Sequence, residues 1–139
     1  MIEFGSELIL GIENIDKEHR TLVDMLNHTY KLLKTSDAKD KDKIAEINEF
    51  FIGNLIAYVE LHLNNEEEFM KSIEYPELSS HKLVHGIFRS EIYNLLPYVE
   101  RGDPKGYRQA LSLSWGWLYN HIARTDKKYA VWAKKHIKF

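Results

Sequence analysis

Residues 62–85 read HLNNEEEFMKSIEYPELSSHKLVH, and this stretch decides the fold class. A histidine and a glutamate stand four residues apart before Pro76, and two histidines stand four apart after it. A spacing of four places side chains on one face of an α-helix, whereas a proline interrupts a helix. The stretch therefore predicts two helices joined by a short turn, each with a polar pair on one face.

The flanking sequence continues the helical pattern in both directions. Apolar residues recur at three- and four-residue spacing, which is typical of helices with one buried face. Four such segments are predicted, with approximate bounds 16–34, 41–71, 77–101 and 103–126. Asp16 and Asp103 are the predicted N-caps of the first and last segments, and the polar stretch 36–40 is predicted as a turn.

Four long helices with short links predict an all-α fold, an up-down-up-down antiparallel four-helix bundle. A chain of 139 residues is expected to form a single domain. The predicted bundle covers about residues 16–126, preceded by an irregular N-terminal arm over 1–15. The basic, aromatic segment 127–139 is predicted as a short helical tail that packs back on the bundle rather than docking on a partner or membrane.

The composition excludes several classes of protein. The 44% hydrophobic and 29% charged residues are a normal globular balance, and the net charge of −2 gives no field to attract nucleic acid. Without cysteine, disulfide scaffolds, zinc-thiolate sites and iron–sulfur clusters are excluded. No apolar run is long enough to span a membrane and no export signal is visible, so a cytoplasmic location is expected.

The four-helix topology brings widely separated polar residues to one end of the bundle. The starts of helices one and three and the ends of helices two and four meet at that end. Seven potential metal ligands occupy these positions: His19, His62, Glu66, His81, His85, His121 and Asp126. Burying them without partners would be costly, and a bound metal removes that cost. The sequence therefore predicts a metal centre at this end.

Helix geometry separates the members of this set from their neighbours. Only Glu66 of the run 66–68 shares the face of His62, so Glu67 and Glu68 are expected at the flanks. Asp126 lies about 140° from the face of His121 on a regular α-helix, so it reaches the site only where the helix bends or ends. His28 and His136 lie away from the set, and no metal role is expected for either.

The motifs resemble those of the hemerythrin family, particularly its single-domain bacterial members, the bacteriohemerythrins. The matching segments are 11–19, 62–67, 75–85 and 117–126. The resemblance implies a non-haem di-iron centre (Fe2+/Fe3+) that binds dioxygen reversibly for storage, delivery or scavenging. It implies one iron on His81, His85 and His121, a second on His19 and His62, and bridges from Glu66, Asp126 and an oxo or hydroxo group. The vacant position would take dioxygen, in a pocket lined by Leu63, Phe88, Trp117 and Leu118.

Three classes of function stay open at this point. An oxygen carrier is favoured over an enzyme, because five histidines and two carboxylates stabilise ferrous iron better than the carboxylate-rich sites of ferritin-like oxidases. The alternatives are a di-iron enzyme that consumes peroxide or nitric oxide, and an oxygen sensor acting through a partner. Dioxygen is the expected partner, a monomer is favoured, and no nucleic-acid or membrane partner is expected.

Overall fold

The computed structural model describes residues 4–35 and 41–136, and it is a four-helix bundle without strands in that part of the chain. The first helix is Glu13–Thr35 and the third is Leu78–Glu100. The second helix is continuous through Lys41–Asn48, Glu49–Ile56 and Ala57–Ser72, and the fourth through Pro104–Asn120, His121–Asp126 and Lys127–His136. The predicted fold class is confirmed. None of the described helices is long and apolar enough to cross a membrane.

The second and fourth helices each contain a π-helical segment, over Glu49–Ile56 and His121–Asp126. In a π-helix the backbone hydrogen bonds join residues five apart, and such segments occur frequently at functional sites. Residues five apart therefore come onto one face within these segments. The helical tail predicted from residue 127 is present as a continuation of the fourth helix, and it begins directly after the second π-helical segment.

The predicted start of the first helix differs from the structure, whereas the predicted end of the third agrees with it. The first helix begins at Glu13, so Asp16 lies inside its first turn; the Asp16 carboxylate instead accepts hydrogen bonds from the backbone N–H groups of Leu10 and Gly11, at 2.8 and 3.0 Å. The third helix runs through Pro97 and ends at Glu100, next to the predicted closing residues Arg101 and Gly102, and the one backbone hydrogen bond lost at Pro97 is tolerated so near a helix end.

Other predicted features of the chain termini and links agree with the structure. Asp103 caps the fourth helix, since its carboxylate accepts a hydrogen bond of 2.9 Å from the backbone N–H of Lys105. Within the described part of the arm, from residue 4 onward, the short 3-10 turn Ser6–Leu8 contacts the segment His121–Asp126. The predicted turn 36–40 and the end of the tail, 137–139, lie outside the described residues.

The tail packs against the end of the bundle that holds the predicted metal site. Tyr129, Ala130 and Ala133 are buried, and the indole N–H of Trp132 donates a 3.2 Å hydrogen bond to the carbonyl of Ile73. This contact fixes the tail to the turn between the second and third helices. The tail therefore covers the end of the bundle that holds the predicted metal site, and its predicted packing is confirmed over residues 127–136.

Candidate metal centre

All seven predicted ligand residues meet at one end of the bundle, and each is at most 3% exposed. They form two groups that share Glu66, within each of which potential ligand atoms lie within 4.8 Å of one another. The two-histidine group contains His19, His62 and Glu66. The three-histidine group contains Glu66, His81, His85, His121 and Asp126.

In the three-histidine group, the imidazole rings point their Nε2 atoms at a common centre. Nε2 of His121 lies 3.0 Å from Nε2 of His81 and 3.0 Å from Nε2 of His85. Oδ1 of Asp126 lies 2.8 Å from Nε2 of His121 and 3.1 Å from Nε2 of His81. A ring nitrogen of neutral histidine either donates or accepts one hydrogen bond, whereas all three could offer lone pairs to one cation.

The π-helical segment of the fourth helix explains how Asp126 enters the site. His121 is its first residue and Asp126 its last, five positions later. On a regular α-helix the two side chains would diverge, as the sequence analysis noted, but the wider turn aligns them. The helix neither ends nor breaks at Asp126; its local winding changes instead.

In the two-histidine group, Glu66 lies near both histidines and Asp126 lies near His19. Nε2 of His62 lies 3.1 Å from Oε1 of Glu66. Nε2 of His19 lies 3.3 Å from Oδ2 of Asp126 and 3.8 Å from Oε2 of Glu66. Both carboxylates lie between the two groups: Asp126 has one oxygen towards each group, and Oε1 of Glu66 lies 3.1 Å from Nε2 of His62 and 3.6 Å from Nε2 of His85.

Two further carboxylates contact the outward-facing nitrogens of these histidines. Oε1 of Glu18 lies 2.7 Å from Nδ1 of His62, and Oε2 of Glu67 lies 3.1 Å from Nδ1 of His85. Arg89 holds Glu67 through a 3.2 Å hydrogen bond to the same oxygen. Such outer partners orient an imidazole and fix which nitrogen carries the proton. Glu68 is exposed, so the two flanking glutamates of the run differ in role.

Tyr129 is a third outer contact, and the sequence analysis did not identify it. Its hydroxyl donates a 2.6 Å hydrogen bond to Oε2 of Glu66. Burial raises the pKa of Tyr129 well above its ordinary value, and the charges of Glu66 and Asp126 raise it further, so the phenol stays protonated. No spacing rule identifies it, because Tyr129 and Glu66 belong to different helices.

The electrostatics of the two groups differ. Burial and the charge of Asp126 raise the pKa of Glu66, but His62 and His19 outweigh them and lower it to about 2. Burial lowers the pKa of His62, but Glu66 and Glu18 raise it to about 10. In contrast, burial and the neighbouring His121 and His81 outweigh the charge of Glu66 and lower the pKa of His85 to about 4. Without a metal, His62 therefore carries a proton at neutral pH and His85 does not.

The site's own polar atoms fit a bound metal. The side-chain atoms without a hydrogen-bond partner include both nitrogens of His19, Oε1 of Glu66 and both oxygens of Asp126, all buried. Buried polar atoms are nearly always satisfied, so this many orphans at one place point to an absent ligand of the site. Imidazole nitrogens with two carboxylates are a donor set suited to iron among the transition metals.

An apolar cavity of about 20 Å³ reaches His62 from the bundle core. Its wall includes all four residues predicted to form an oxygen pocket, Leu63, Phe88, Trp117 and Leu118. The Trp117 ring stacks on His121 at 4.1 Å and on Phe88 at 4.0 Å between centroids. A cavity of this size holds roughly one water-sized molecule, about 10–15 Å³ being the minimum for water.

His28 and His136, for which no metal role is predicted, lie away from the cluster. His28 is exposed on the first helix, with its ring 4.4 Å from that of Phe50. His136 is exposed near the end of the fourth helix, against Trp132.

Comparison with known proteins agrees with the geometry. The family model described as the hemerythrin HHE cation binding domain matches residues 10–133. Bacteriohemerythrin from Clostridium acetobutylicum is 34% identical over 131 residues, which cover 93% of this chain and 98% of that protein. Bacteriohemerythrin from Stenotrophomonas maltophilia is 30% identical over 99% of this chain and 84% of its own length. Myohemerythrin from Theromyzon tessulatum is 32% identical over 84% of this chain and 81% of its own length. A bundle with a cluster of buried histidines and carboxylates, matched over most of its length, identifies the chain as a member of the hemerythrin family.

Proposed function

We propose that the chain binds dioxygen reversibly at a non-haem di-iron centre held by the seven clustered residues. The observation that carries the proposal is the pair of ligand groups sharing Glu66, with an apolar cavity beside the less crowded group. His81, His85 and His121 would hold one iron, and His19 and His62 the other. Glu66 and Asp126 would bridge the two, since each lies within 3.6 Å of a histidine Nε2 atom in both groups.

The donor set supports a carrier rather than an oxidase. When bound, two ferrous ions supply the electrons that dioxygen takes up and returns on release. Five neutral imidazoles and two carboxylates add less negative charge than a carboxylate-rich site, which favours the ferrous state. The chain's contribution is to fix these donors in place before the metal arrives.

The surrounding residues serve three purposes in this proposal. Leu63 and Phe88 keep the cavity dry, so that water does not compete for the exchangeable position. Glu18 and Glu67 orient the imidazoles of His62 and His85. Tyr129 orients Glu66 through its hydroxyl.

The test is a reversible spectrum on iron-loaded protein. Elemental analysis should give two irons per chain, and the visible charge-transfer bands of the oxygenated form should appear under oxygen and disappear under argon over several cycles. Metal-free protein is the matched control and should show no change. Immediate irreversible oxidation under oxygen, with no recovery of the spectrum under argon, would instead favour a di-iron enzyme, and one metal per chain would contradict the di-iron centre.

A further inference from the structure

Three aromatic side chains form a continuous path from Glu66 to the protein surface. The ring of Tyr129 lies 6.3 Å from the ring of Tyr75, which lies 6.4 Å from the ring of Trp132. Tyr129 contacts the cluster at the inner end, where its ring is also 5.6 Å from that of His81. Trp132 is partly exposed at the outer end. The path crosses from the fourth helix to the turn after the second helix and back.

Each member of the path has a hydrogen-bond acceptor for its single donor. The hydroxyl of Tyr129 donates to Glu66 at 2.6 Å, and the hydroxyl of Tyr75 donates to Oε2 of Glu77 at 3.0 Å. The indole of Trp132 donates to the carbonyl of Ile73. A tyrosine that loses an electron must also give up its proton, and a carboxylate within hydrogen-bond distance can take it. Both tyrosines therefore have the partner that one-electron oxidation requires.

Tyrosine and tryptophan are the most easily oxidised side chains after cysteine and methionine, and the chain has no cysteine. Phe69 also lies beside Tyr129, with ring centroids 5.9 Å apart, but phenylalanine is much harder to oxidise. Trp117 stacks on His121 on the other side of the cluster, and its next ring is Phe88. Among these contacts, only the one through Tyr75 continues from the cluster along oxidisable side chains.

We propose that Tyr129, Tyr75 and Trp132 are an electron relay that delivers electrons from the surface to the candidate metal centre when hydrogen peroxide is reduced there. Hydrogen peroxide takes two electrons and two protons and becomes two molecules of water. Tyr129 supplies each electron in turn and passes its proton to Glu66; it recovers both when an electron arrives from Tyr75. Tyr75 likewise uses Glu77 for its proton and is restored by Trp132.

The two electrons that hydrogen peroxide takes up come from Trp132 at the surface. In the absence of an added reductant, Trp132 loses two electrons, takes an oxygen atom from water and releases two protons. The sum is one tryptophan and one hydrogen peroxide giving one oxygenated tryptophan and one water. The relay thus removes oxidising equivalents from the centre, and the resulting modification is found on Trp132, which is not a candidate ligand.

The inference rests on the proposed iron centre, and the experiment separates the two. Iron-loaded protein is treated with a small excess of hydrogen peroxide, and oxygen insertion is mapped by peptide mass spectrometry after trypsin. Residues 129–134 leave trypsin as one peptide, so fragment ions must assign oxygen to Tyr129 or Trp132. The test variant is Tyr75→Phe, which interrupts the relay in its middle and leaves the hydrogen bond from Tyr129 to Glu66 in place.

In the wild-type protein we expect oxygen insertion at Trp132, and metal-free protein should show little. In Tyr75→Phe, oxidation of Trp132 should fall several-fold while oxidation of Tyr129 rises. Tyr98→Phe is the matched control, because Tyr98 is an exposed tyrosine on the third helix outside the relay; it should behave as wild type. Oxidation of Trp115, whose ring lies 5.2 Å from that of Tyr30, serves as an internal reference and should not change between the variants.

Equal oxidation of Trp132 in wild type, Tyr75→Phe and metal-free protein would overturn the relay, since peroxide in solution would then be the direct oxidant. Absence of oxidation at Trp132 in protein that holds two irons would overturn it as well, while leaving the iron centre standing. Failure of the purified chain to hold iron at all would contradict the proposed function, and the relay with it.

Discussion

The two groups of the candidate centre contain the same residue types but differ in the number of imidazoles and in their contact with the cavity. The three-histidine group has three imidazoles around one point, with Tyr129 against His81 on one side. The two-histidine group has one imidazole fewer, and the apolar cavity reaches it at His62. Under the proposed function, the three-histidine side would hold its ion and the two-histidine side would exchange a small ligand.

The difference between the two groups follows from which helices supply their histidines. His81 and His85 lie four apart on the third helix, so one helix face supplies two donors to the same point. His19 and His62 come singly from two helices with their ring centroids 4.6 Å apart, and of the two His62 lines the cavity. The carboxylates shared by both groups make the two sides interdependent.

The largest expected loss of metal comes from removing the carboxylate of Glu66, which lies near both groups. Glu66→Gln takes away a negative charge that lies within 3.6 Å of Nε2 atoms in both groups, while helix propensity hardly changes. We expect it to lose most of the metal from both sides, measured as iron per chain by elemental analysis. Glu68→Gln, at an exposed position of the same run, should keep two irons. Two irons in Glu66→Gln would show that the groups do not depend on a shared bridge.

The next effect should distinguish the two groups. His62→Ala removes half of the nitrogen ligands of its group, whereas the other group keeps all three. We expect about one iron per chain in this variant and no reversible oxygenation, judged by elemental analysis and by the visible spectrum under oxygen and argon. His28→Ala removes an exposed imidazole and should leave both measurements unchanged. Loss of both irons from His62→Ala would mean that the sides cannot be loaded separately.

The sequence predicted most of this arrangement, because helical period and bundle topology suffice to bring seven distant residues to one end. It was less informative where local winding or contacts between helices decide. Asp126 required a π-helical segment, and no residue between His121 and Asp126 predicts one. The outer partners Glu18, Glu67 and Tyr129 contact histidines or carboxylates of other helices, so spacing along the chain does not reveal them.

Lowering the pH should weaken iron binding more at the two-histidine group than at the three-histidine group. A metal binds the deprotonated imidazole, so it must displace the proton held by His62, whose pKa is raised to about 10, but none from His85, whose pKa is lowered to about 4. Between pH 6 and pH 8, the affinity of the two-histidine group should rise about tenfold per pH unit for each proton displaced. The three-histidine group should respond less steeply.

The measurement is a titration of metal-free protein with ferrous iron under argon at several pH values, with proton release followed by a pH indicator. The second equivalent of iron should bind more weakly at low pH and release more protons than the first. Equal proton release by both equivalents would contradict the assignment of the protonated histidine to one side.

Smaller effects are expected from the outer carboxylates. Glu18→Gln and Glu67→Gln each keep a hydrogen-bonding side chain but remove the charge that faces Nδ1 of His62 or His85. Loss of such a partner typically weakens metal affinity by about 10- to 100-fold. Competition with a chelator should show Glu18→Gln losing one iron first from the two-histidine side, and Glu67→Gln from the other. If both variants lose the same ion first, the outer contacts do not act on separate sides.

The smallest expected effect tests the cavity that distinguishes the two groups. Ile92 lies on the cavity wall, and Ile47 is buried in the bundle core away from that wall. Ile92→Val and Ile47→Val each remove one methyl group, and each should cost about 0.5–1.5 kcal/mol of unfolding free energy, measured by urea denaturation. Only Ile92→Val widens the space beside His62, so only it should admit water more easily and shorten the lifetime of the oxygenated form. Because the two variants share the same chemical change and a similar loss of stability, a difference in the rate of spontaneous oxidation isolates the cavity's contribution. Identical oxidation rates would mean that the dry wall does not protect the centre, and that the contrast between the two groups lies in their ligands alone.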